Sequence, residues 1–81
     1  MNKKQKRYRV VTQHYVGEFD GVETYVHKYV CVWPDNASEW GARYELSPKS
    51  EEALKFGRDT ALEIAHAIRI RNGMRAMVEE A

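Results

Sequence analysis

The sequence predicts an α+β domain: a three-stranded antiparallel meander with one long C-terminal helix packed on one face. Three observations carry that prediction. The first half of the chain holds three runs rich in β-branched and aromatic residues, separated by turn signals. Residues 50–71 are the one long segment with unbroken helical periodicity. The order strand, strand, strand, helix then puts the helix across the sheet it must cover. At 81 residues a single domain spanning 1–81 is expected, with residues 1–6 as a flexible basic arm.

The elements follow in chain order. Residues 7–16 (RYRVVTQHYV) read as the first strand. Residues 17–21 (GEFDG) are a turn, with Asp20-Gly21 as a strong hairpin signal. Residues 22–33 (VETYVHKYVCVW) form a longer second strand, which Pro34-Asp35-Asn36 breaks. Residues 39–46 alternate most cleanly, with Trp40, Ala42, Tyr44 and Leu46 on one face and Glu39, Gly41, Arg43 and Glu45 on the other.

For the helix, Ser50 is the expected N-cap, and Glu51 and Glu52 suit the positive end of the dipole. Pro48, after Ser47, offers an earlier start. Arg69 and Arg71 suit the negative end, and Asn72-Gly73 is a left-handed stop. Leu54, Gly57, Ala61, Ile64, Ala65 and Ile68 fall on one side at helical spacing and form a nearly flat stripe for the sheet. Phe56 and Ile70 point almost opposite that stripe, and Leu62 lies to one side near His66. Such an apolar back marks a second contact surface. Residues 74–81 (MRAMVEEA) add a helical turn or two, with Met77 and Val78 tucked against the body.

Hairpin register decides the sheet faces, because a slip of one residue exchanges them. A loop over 17–21 with Val16 opposite Val22 collects Tyr8, Val10, Val16, Val22, Val26, Val30 and Val32 on a core face. Arg7, Arg9, Tyr15, Tyr25, His27, Tyr29, Cys31 and Trp33 then share the open face. A two-residue turn at Asp20-Gly21 changes the pairing and blurs this division.

Composition bounds the function classes. The chain is 43% hydrophobic and 31% charged, which suits a globular protein. Net charge is +1, unevenly spread: Lys3, Lys4, Lys6, Arg7 and Arg9 crowd the N-terminus, leaving eight basic against twelve acidic residues elsewhere, a net −4. Cys31 is the one cysteine, so no internal disulfide forms, which agrees with a cytoplasmic location. The basic N-terminus lacks the apolar run of a secretory signal, so the Asn36-Ala37-Ser38 sequon carries no weight, and no segment reaches the length of a membrane span.

No constellation supports catalysis, a cofactor or a metal. His27 and Cys31 share a strand face but stand roughly 13 Å apart, too far for one zinc ion. A cysteine in an apolar strand is usually an inert packing residue, and the glycines stand singly. Glu63 and His66, three apart on the helix, suit a surface contact. The expectation is a small non-enzymatic module that occupies a partner protein's surface through Phe56, Leu62, His66 and Ile70 on the helix and Tyr25, Tyr29 and Trp33 on the sheet. That profile is like the profile of compact accessory or inhibitor proteins of phages and mobile elements, anti-CRISPR proteins among them, although no motif carries a family resemblance. The alternative is a nucleic-acid-binding accessory domain using Lys3, Lys4, Lys6, Arg7 and Arg9 with the aromatic sheet face. A structural homodimer subunit is a third reading.

Overall fold

A computed structural model of the protein describes residues 6–34 and 43–81. It is an α+β fold with four antiparallel strands rather than three. The strands are β1 (Tyr8–Phe19), β2 (Val22–Val32), β3 (Glu45–Ser47) and β4 (Arg75–Glu80), and the helix is α1 (Arg58–Asn72). The sheet order is β3-β2-β1-β4. The chain therefore leaves one edge at β3 and crosses the sheet through α1, which packs over β4 and β1, to reach the other edge as β4.

The β1–β2 hairpin turns on Asp20 and Gly21, both at positive φ (51° and 80°), with Phe19 opposite Val22. This corrects the expected five-residue loop. A two-residue turn alone would exchange the sheet faces. An extra residue in β1, Val16, bulges out between Tyr15 and Gly17 and restores the parity. Gly17 accommodates the bulge at φ 142°, a conformation closed to most side chains. Val10 thus lies on the helix side with Val30, and Tyr15 lies opposite Tyr25 on the other.

The helix is shorter than its periodicity suggests. Residues 50–52 make a single 3-10 turn, and the chain then runs extended to Gly57. Backbone hydrogen bonds from distant residues hold it there. The Leu54 amide donates to the Val30 carbonyl, and Phe56 exchanges two bonds of 2.7 and 2.9 Å with Tyr8. Phe56 is thereby removed from the helix and packs partly buried against the core. Gly57 is the N-cap, Gly73 closes the helix at φ 62°, and its amide donates to the Arg69 carbonyl. The stop expected at Asn72-Gly73 is present.

The core is small. Val10, Val30, Ala61, Ile64, Ala65, Ile68 and Ala76 are buried together, with Tyr8, Trp33, Tyr44, Leu46, Phe56, Met74 and Val78 around them. The alanines let the helix approach the strands closely, as the flat stripe implies. Residues 75–80 form a strand, not a helical turn, because β1 offers an unpaired edge immediately after the Gly73 stop. Val78 faces Val10 and Ala76 faces Thr12. Of the expected third strand, 39–46, the described residues 43 and 44 do not join the sheet, Glu45 and Leu46 pair with β2 and Ser47 extends the pairing, while residues 39–42 lie outside the described residues. After Ser47, which faces Tyr29, comes Pro48, which has no amide to continue the ladder.

Candidate functional site

Two lengths decide which side chains stay uncovered. The strands of the hairpin, 12 and 11 residues, span roughly 35–40 Å, whereas the 15-residue helix spans about 22 Å. β4 reaches along β1 only to Gln13, and β3 reaches along β2 only to Tyr29. Among the described residues, 14–28 therefore form a two-stranded extension without a third strand on either side. Many of its apolar side chains are open: Tyr15, Val16, Phe19, Val22 and Val26 are 40–63% exposed. Val16, Val22 and Val26 are corrections to the expected core face, and Val32, also exposed, is another. Core parity holds for Val10 and Val30, but the helix ends before it covers the rest.

The face opposite the helix carries the expected aromatics. Tyr25 meets Tyr15 edge to face with ring centroids 5.4 Å apart. Tyr29 lies opposite Val11, which faces Met77 on its other side and is almost fully buried between them. Arg9 forms an ion pair with Glu79 and sits 5.1 Å from the Tyr29 ring centroid. Beyond the bulge, Glu18 faces Glu23, a like-charge pair that weakens the ladder. The Tyr25 hydroxyl donates to Glu23 at 3.1 Å, and that bond raises the tyrosine pKa above its ordinary value.

Trp33 does not join this face. Cys31 is the extra residue of a second irregularity, between Val30 and Val32, and the alternation reverses there. Trp33 packs against the core and lies 5.4 Å from the Tyr44 ring. On the helix, Leu62, His66 and Ile70 are exposed and four residues apart, so they line one side of α1, with Ile70 at 69% exposure. Phe56 is absent from that stripe.

The basic residues are dispersed. Lys3 and Lys4 lie outside the described residues, and Lys6 is exposed. Arg7 donates to the Lys55 carbonyl at 2.8 Å, and Arg9 is engaged with Glu79. His14 lies 2.7 Å from the Thr12 hydroxyl and titrates below the ordinary histidine value because of its burial and of nearby Lys28. Among the described residues, no three histidine, cysteine or acidic side chains converge on a common point, and no helix is long and apolar enough to cross a membrane.

Two shallow depressions occur among the described residues, one lined by Arg43, Tyr44, Leu46 and Asn72, the other by residues that include Arg9, Ser50, Glu51 and Lys55. The residues that sequence reasoning missed are Phe19 and the exposed valines of the extension. Their signal was Pro48 together with Gly57, which shorten what can cover the hairpin. Comparison of the chain with protein-family models, curated proteins and solved structures gives no match.

Proposed function

We propose that the protein is a non-enzymatic binding module that acts by occupying a partner protein's surface. One observation carries the reading: the hairpin extension presents Tyr15, Phe19, Val22 and Val26 to solvent, well beyond the core. Aromatic residues are enriched among interface anchors, and flanking aliphatic side chains help to exclude water around them. Phe19, Val22 and Val26 share one side of the ribbon, and grouped exposed apolar side chains of this kind can mark an interaction site. Tyr25 and Tyr29 extend the surface along the open face, and Leu62, His66 and Ile70 are a separate strip on the helix. Occlusion of a target by a small module is how compact accessory or inhibitor proteins of phages and mobile elements work. The size of this chain suits that role.

The test is capture of a protein from the native host on immobilised protein. Wild type is compared with a Tyr15→Ser/Phe19→Ser/Val22→Ser variant whose circular dichroism and melting temperature match wild type. The expected result is one stoichiometric partner that the variant does not retain. Equal retention by wild type and variant overturns the assignment to the extension. The absence of any stoichiometric partner overturns the function.

A further inference from the structure

The extension differs from the rest of the chain in charge as well as in exposure. Residues 14–28 contain Glu18, Asp20 and Glu23 against the single cation Lys28 at their base, a net −2, whereas the rest of the chain holds twelve basic and nine acidic residues, a net +3. All three acids lie at the tip, around Phe19 and Val22, which are 59% and 63% exposed. Glu18 and Glu23 face each other across the ribbon. Among the described residues no lysine or arginine forms an ion pair with Glu18, Asp20 or Glu23, the one ion pair being Arg9–Glu79, although Arg75 acts on Tyr25 from the base of the extension. Like charges directly opposite in a ladder cost stability. A partner that supplies cations removes that cost on binding.

We infer that the tip of the hairpin, with Phe19 and Val22 as apolar anchors and Glu18, Asp20 and Glu23 around them, docks into an apolar depression ringed by lysine and arginine on a partner protein. The inference rests on the reading of the protein as a binding module and adds the chemistry of the partner. Charge complementarity selects this occupant. A second copy docking tip to tip would bring six carboxylates together, and a nucleic acid would meet the same three acids with its phosphates. A basic rim also steers encounter, so association is salt-dependent, whereas contact through the apolar Leu62 and Ile70 of the helix strip is not.

The experiment places a photo-cross-linking benzoylphenylalanine at position 19 in one preparation and at position 70 in another. Both are irradiated in native-host extract, the cross-linked peptides are sequenced, and the captured protein is purified and titrated. The expected cross-link forms from position 19, to a peptide in which lysine or arginine flanks apolar residues. Affinity falls by about tenfold or more between about 50 and about 300 mM NaCl, as screening shortens the reach of the charges. The triple variant Glu18→Gln/Asp20→Asn/Glu23→Gln binds more weakly at low salt and loses most of the salt dependence. Phe19→Ser weakens binding by about a hundredfold, the loss of a hot-spot anchor.

A stoichiometric partner cross-linked only from position 70, or held by the triple variant at full affinity and with the same salt dependence, overturns the inference and leaves the binding module standing. Cross-linking only to a second copy of the chain also overturns it. No cross-link from either position, with no stoichiometric partner retained on immobilised protein, removes both readings.

Discussion

Phe56 lies in the extended segment that bridges to Tyr8, partly buried against the core, whereas Ile70 is 69% exposed on α1. Phe56→Ala removes a ring from about half-buried surroundings while leaving its backbone bonds to Tyr8 intact. Full burial costs about 3–5 kcal/mol for this change, so about 2 kcal/mol is expected here. For a chain of this length that lowers the melting temperature by roughly 10 °C. Ile70→Ala exposes nothing new and replaces a β-branched residue by the best helix former, so stability should stay within about 0.5 kcal/mol of wild type. Urea and thermal denaturation followed by circular dichroism measure both. Equal losses in the two variants, or no loss at Phe56, would refute the placement of Phe56 in the core.

Three further outcomes are expected. Gly73→Ala forces a left-handed conformation on a residue with a side chain at φ 62° and should cost about 1 kcal/mol in the same urea assay; an unchanged midpoint would mean the helix ends elsewhere. His14 titrates below the ordinary value of 6.5 because burial, and then Lys28, disfavour its charged form. On acidification the unfolded chain binds that proton first, so this residue's contribution to stability falls as pH drops through about 6.5 and levels off below the folded-state pKa. His14→Gln should flatten that part of the urea midpoint–pH curve, and an identical curve would sink the reasoning. Replacing residues 16–24 by Asn-Gly joins the facing residues Tyr15 and Tyr25 through a two-residue turn. No member of the buried cluster is removed, so the shortened chain should melt cooperatively near wild type while losing its partner; loss of folding would show that the extension supports the base.

Much of the fold was legible because its signals are local. Asp20-Gly21 and Asn72-Gly73 specify left-handed backbone at two turns, and the spacing of Ala61, Ile64, Ala65 and Ile68 specifies a buried helix face. What the sequence hid depends on distant partners. The periodicity through residues 50–57 suits a helix, yet the backbone there bonds to Tyr8 and Val30, and tertiary hydrogen bonds overrule a weak propensity. β4 is equally non-local: RAMVEE alternates only loosely and becomes a strand because β1 has a free edge. For the candidate site, Tyr25 and Tyr29 were readable from parity alone. Trp33 was not, because one extra residue at Cys31 reverses the alternation. The exposure of Phe19, Val22 and Val26 required knowing where the helix and both flanking strands stop.

The energetics of the extension constrain how it can bind. A two-stranded ribbon without a third strand is marginal in water, and here it also carries Glu18 against Glu23. The turn at Asp20-Gly21, the contact between Tyr15 and Tyr25, and continuity with the base hold it. Burying Phe19 and Val22 in a partner yields about 3–6 kcal/mol before any cost of association. Even micromolar affinity requires about 8 kcal/mol net of that cost. The tip alone therefore falls short. Val26 lies on the side of the ribbon that carries Phe19 and Val22, and Tyr15 and Tyr25 lie on the opposite side. On the proposed reading, a partner gathers more surface by touching both sides, as a cleft that clasps the ribbon would. Among the described residues no strand flanks 14–28, which leaves room for such a cleft.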